Sequence, residues 1–133
     1  MPGYVLDSWA VLCYLRREPG HESVVEILAE AASASRSCAL SVINWAEVIY
    51  NVQRRWGGAK ARETESVIDS LPVELIDVNR GIAGAAARIK AEHPIALADC
   101  FAAALAHQRG SVLVTGDPEF KALAKKIRIR WLR

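Results

Sequence analysis

Ser111-Val112-Leu113-Val114-Thr115-Gly116-Asp117-Pro118 is the stretch on which the fold turns. Val112-Leu113-Val114 is a short apolar run of strand-forming residues. A strand that is apolar on both sides needs cover on both faces, the usual condition of a parallel sheet. Asp117-Pro118 then makes a good cap and first-turn pair for a helix, expected through about residue 125. The order is therefore strand, acid, helix.

The same order opens the chain. Tyr4-Val5-Leu6 is an apolar strand candidate, Asp7 follows it, and a helix is expected over 8–17, stopped by Pro19-Gly20. Between these ends, helical spacing of Val24, Val25, Leu28, Ala31 and Ala32 runs to about residue 35. Cys38-Ala39-Leu40 reads as a strand. Ser41 can cap a helix over 42–56 that Gly57-Gly58 end, and a further helix covers about 59–70, closed by Pro72. Val73 to Val78 is extended, 80–92 is helical, and Pro94 opens a helix through His107 that Gly110 stops. Ile127 to Trp131 alternates as an edge strand would. Short strands alternating with helices give an α/β domain with a central, mainly parallel sheet and helices on both faces. In such sheets sites gather beyond the carboxyl ends of the strands, where Asp7 and Asp117 fall.

The 133 residues fit one domain, 1–133, without repeats or a long linker. Hydrophobic residues make up 52% and charged residues 24%, enough for a core and against disorder. No apolar run is long enough to span a membrane, and the N-terminus does not read as a signal peptide, so a cytoplasmic protein is expected. Cys13, Cys38 and Cys100 are odd in number and lack CxxC spacing, which favours buried free thiols over disulfides or zinc. A net charge of +2 is too small to mark a nucleic-acid binder. Arg16-Arg17, Arg54-Arg55 and the group Arg128, Arg130 and Arg133 suit phosphate contacts, and equally suit a solvated face or a partner's acidic surface.

Four carboxylates invite chemistry. Asp7 and Asp117 each have a sufficient explanation as helix caps. Glu47 lies on a largely apolar helix, beside a main stripe of Trp45, Val48, Ile49, Val52 and Trp56 and on the flank of Ile43, Ala46 and Tyr50. A carboxylate there needs a partner unless it sits at the margin. Asp99 is the only charge in Ile95–Ala106, the most apolar stretch of the chain, with Ile95, Ala96, Ala102 and Ala103 as its helical neighbours. A first-turn position facing the helix dipole would account for it. A bound cation would account for all four at once, since clustered carboxylates repel. Oxygen-only ligands select Mg²⁺ or Mn²⁺ over Zn²⁺, and His21, His93 and His107 show no metal-ligand spacing. One or two such ions activating a water for in-line attack on a phosphodiester is the natural reaction.

The segments Tyr4–Ala10, Ser41–Val48, Leu97–Ala106 and Val112–Phe120, taken in series, resemble the PIN-domain nucleases, specifically the VapC-like ribonuclease toxins. The resemblance covers nearly the whole chain. It implies a PIN-like domain with five parallel strands, and an endoribonuclease acting as the toxin of a VapBC-type toxin–antitoxin system. Asp7, Glu47, Asp99 and Asp117 would be the catalytic and metal-binding acids, Asp117 partly through water. Thr115 would orient the first acid, and Ser8 would be a weaker support. It further implies a homodimer, an RNA substrate, and a VapB-like antitoxin whose tail blocks the cleft with a basic residue near the acids. Trp9 departs from the pattern, standing where smaller residues are common. Its indole could stack on a base, but a place in the core or a dimer interface is the expectation, as for Trp45 and Trp56.

Other readings fit less well. A dehalogenase-like phosphatase needs an acid two residues after Asp7, where Trp9 stands. A receiver-like module needs an acid pair near the end of the first strand, and Tyr4-Val5-Leu6 offers none. A non-catalytic PIN-like binding module that docks a protein partner is the remaining alternative.

Overall fold

The computed structural model describes residues 1–133. Five strands, β1 (Tyr4–Leu6), β2 (Cys38–Ser41), β3 (Glu74–Ile76), β4 (Val112–Thr115) and β5 (Ile129–Trp131), form one sheet in the order β3-β2-β1-β4-β5. Every pairing is parallel. The central strands β1, β2 and β4 are the apolar ones and are covered on both faces, as parallel strands must be. β5 is the edge strand that its alternation predicts.

The helices are α1 (Ser8–Arg16), α2 (His21–Ala32), α3 (Val42–Trp56), α4 (Gly58–Asp69), α5 (Arg80–Glu92) and α6 (Leu97–Arg109), followed by a 3₁₀ segment over Pro118–Leu123. Alternation along the strands divides the core in two. Tyr4, Leu6 and Leu40 join α1 to α4 on one face. Val5, Ala39 and Leu113 join α5, α6 and the 3₁₀ segment on the other. Ala102, Ala103, Ala104 and Ala106 of α6 are all buried. Their small side chains admit the neighbouring helix and strands at close range, which is why this stretch carries so little bulk.

Some boundaries differ from the sequence expectation. α6 begins at Leu97, not Pro94. Pro94 disfavours helix for the residue before it, and His93 is extended. The chain stays out of helix through Ala96, with Lys90 Nζ donating to the Ile95 carbonyl at 2.7 Å. That shift leaves Asp99 in the first turn of α6. Gly58 opens α4 rather than closing α3, so Gly57 alone separates them. Residues 118–123 form 3₁₀ instead of α-helix. Trp56, expected in the core or a dimer interface, is 49% exposed and stands outside the core, while Val48 and Val52 are buried. All three cysteines are free and buried.

No helix is long and apolar enough to cross a membrane.

Candidate active site

The sheet order makes β1 and β4 neighbours although most of the chain lies between them. This is the switch point where open parallel sheets carry their crevice. Asp7 leaves the end of β1, and Asp117 follows β4 by one residue, Gly116. Across from them stand Glu47 on α3 and Asp99 on α6. A cleft of about 240 Å³ is lined by all four acids together with Glu119, Ser8, Trp9, Leu12, Asn51 and Ala96.

Asp7 is both a cap and a member of the cleft. Its Oδ1 accepts from the Ala10 N–H at 2.8 Å and closes the first turn of α1. Its Oδ2 accepts from Thr115 Oγ1 at 2.5 Å. Thr115 in turn accepts from the Asp117 N–H at 3.0 Å, so one hydroxyl fixes the positions of two acids. Asp117 caps the 3₁₀ segment by accepting from the Glu119 N–H at 3.0 Å. The capping and site readings of these aspartates are therefore compatible. Ser8 Oγ donates to Glu47 Oε1 at 2.5 Å, which ties α3 to the start of α1.

Burial makes the acids costly. Asp7 is 1% exposed and Asp99 6%. Desolvation pushes Asp7 up to about 7, reinforced by the charges of Asp99 and Asp117 and opposed by the bonds from Thr115 and Ala10. Desolvation also pushes Asp99 up to about 7, with Asp117, Glu47 and Glu119 adding repulsion. No Lys, Arg or His lines the cleft, and none of its five carboxylates takes part in an ion pair.

The donor set fits a hard divalent cation. Carboxylate oxygens of Asp99, Asp117 and Glu119 lie within 4.8 Å of one another. Oxygens sharing one ion at roughly 2.1 Å lie no more than about 4.2 Å apart, so these three are gathered to nearly the spacing one ion needs. Asp7 and Glu47 line the same cleft but lie outside this closest group.

Two residues carry no assignment from sequence, Glu119 in the cleft and Asn44 behind it. Glu119 lies within the Val112–Phe120 segment without a role of its own, and it falls in the first turn of the 3₁₀ segment. Asn44 is fully buried on α3, and its Nδ2 donates to the Ala98 carbonyl at 3.1 Å, joining α3 to the turn that carries Asp99. Its spacing with Val48 and Val52 is the one signal that could have found it. Trp9 is in neither core cluster: it is 46% exposed at the cleft. A larger cavity, about 780 Å³, lies elsewhere, between α1, α2, α3 and α4.

Solved structures with the same fold include toxin–antitoxin proteins. VapBC2 of Rickettsia felis, bound to a promoter DNA fragment, is similar with a TM-score of 0.77 at 20% identity, covering 98% of each chain. DNA-bound VapBC of Salmonella typhimurium is similar at 0.74 and 24% identity, again over 98% of each. VapC20 of Mycobacterium tuberculosis, a toxin that cleaves the sarcin–ricin loop, is similar at 0.66 and 20% identity, over 90% of this chain and 94% of that one. Among curated proteins, no sequence matches. The sequence profile of the PIN domain matches residues 4–126, and with nearly the whole chain matched and the sheet and acid cleft in place, this protein belongs to the PIN domain family.

Proposed function

We propose that the protein is a Mg²⁺- or Mn²⁺-dependent endoribonuclease, the toxin of a VapBC-type toxin–antitoxin pair acting in the cytoplasm. The observation that carries this is the meeting of Asp7, Glu47, Asp99, Asp117 and Glu119 in one cleft with no cationic side chain. A divalent ion bound there would neutralise charge on the phosphate and make water nucleophilic near neutral pH. Asp99, Asp117 and Glu119 would hold the ion, with Asp7 and Glu47 beside them. Thr115 holds the Asp7 carboxylate to one orientation, and Ser8 does the same for Glu47. The backbone bond from Ala10 keeps the other oxygen of Asp7 in place.

Membership of a family whose solved neighbours include a cleaver of the sarcin–ricin loop supports RNA as substrate. The VapBC neighbours support a VapB-like antitoxin. A basic antitoxin side chain would meet a cleft that supplies no cation of its own. Leu12 lines both the cleft and the large groove, whose wall mixes apolar residues with Arg16, Arg17, His21 and Lys60, so a peptide lying in the groove can reach the acids. The resemblance to VapC-like toxins adds a homodimer to the reading.

The test is cleavage of total RNA by the purified protein with Mg²⁺ or Mn²⁺, with chelator, and with Asp99→Asn. Metal-dependent cleavage that Asp99→Asn abolishes is expected. No cleavage with either metal would instead favour a protein-docking module.

A further inference from the structure

Trp9 is the one aromatic side chain lining the acid cleft. It sits in the first turn of α1, two residues after Asp7. Its pyrrole edge lies against Gly116, in the loop that delivers Asp117. A methyl group on Gly116 would lie 2.9 Å from Cε2 and 3.0 Å from Cδ1, and closer still to Nε1. Only glycine leaves room for the ring in this position. The ring is thus braced by backbone on one edge, yet the residue remains 46% exposed. A core role does not account for that exposure.

The electrostatics give the ring a task. A polyanion entering this cleft meets five carboxylates and no Lys, Arg or His. Within the cleft itself, affinity beyond the ions has no basic side chain to draw on. Base–aromatic stacking needs none, and unpaired RNA bases are commonly read in this way. Resting on the ribonuclease reading above, we propose that Trp9, braced by Gly116, is a stacking platform for an unpaired base next to the scissile phosphate. The platform selects single-stranded or looped RNA.

The experiment maps cleavage sites on single-stranded RNA oligonucleotides and then compares wild type, Trp9→Phe and Trp9→Leu. Trp9→Leu should raise KM about tenfold, the size of one stacked base, with a much smaller change in kcat. Trp9→Phe, which keeps an aromatic face, should recover most of the loss. The KM difference should persist at high salt, since stacking releases no counterions. An abasic nucleotide beside the scissile phosphate should penalise wild type by a similar factor and leave Trp9→Leu nearly indifferent. Wild type that cleaves RNA, with Trp9→Leu matching it in KM and in abasic sensitivity, would overturn the platform and leave the nuclease reading intact. The same kinetics with weakened self-association in sedimentation would assign the ring to a protein interface and overturn the platform too. Wild type that cleaves no RNA would bring down both.

Discussion

Asp7 does two jobs that substitution can separate. Asparagine caps helices as well as aspartate does, so Asp7→Asn should keep α1 and lose the carboxylate. We expect Asp7→Asn and Asp99→Asn to retain their circular dichroism and to lose RNA cleavage by at least about 10²-fold. Full metal-dependent cleavage by both would remove the acids from the mechanism. Thr115→Ala should cost less, roughly 10- to 100-fold in activity or metal affinity, since it acts only by orienting its neighbours. Asp7 and Asp99 stood out differently in the sequence. Asp99 was legible from its isolation in an alanine-rich helix. Asp7 was not separable from an ordinary cap by its neighbours, because the same carboxylate serves the cap with one oxygen and the cleft with the other.

At the scale of elements, α3 and α6 come from separate parts of the chain and must be locked together for Glu47 to face Asp99. Asn44 makes that lock through the Ala98 carbonyl. Asn44→Ala leaves a small cavity and removes a buried hydrogen bond, so about 2 kcal/mol of stability should be lost. Urea unfolding measures it. Activity at a temperature where the variant is folded should also fall, because the turn carrying Asp99 is released. The helices were legible because their apolar spacing and stop signals are local. The start of α6 is not legible there, because the segment over 94–96 is held out of helix with Lys90 of another helix donating to it, a contact that helical periodicity does not reveal.

For the whole molecule, the acid cleft should set how stability responds to pH. Asp7 and Asp99 rise in the folded state from an ordinary 3.8 to about 7. Between those values the folded protein holds protons that the unfolded chain has released. Stability of the metal-free protein therefore falls as pH rises from about 4 to 7 and levels off above. The thermal midpoint should be higher at pH 5 than at pH 8. Mn²⁺ should raise it at pH 8 and much less at pH 5, where protons compete for the same oxygens. A midpoint that climbs from pH 5 to pH 8 without metal would contradict this. In the groove between α1, α2, α3 and α4, Val25 is 48% exposed. Val25→Asp should weaken antitoxin binding by at least about tenfold, read by titration calorimetry.

The sequence alone determined the class of fold and singled out the acids on which the proposed chemistry rests. Strand runs, helix periods and caps are short-range properties, and an alanine-rich helix bearing one acid is conspicuous without coordinates. The tertiary structure decided which side chains meet. It put Glu119 in the closest acid group, tied Asn44 to the Ala98 carbonyl, and set Trp9, expected in the core or a dimer interface, at the acid cleft outside both core clusters. Those assignments depend on a parallel sheet whose β1 and β4 are neighbours although Leu6 and Val112 are far apart along the chain. Burial and proximity across that distance follow from how the crossovers pack, and no local pattern records them.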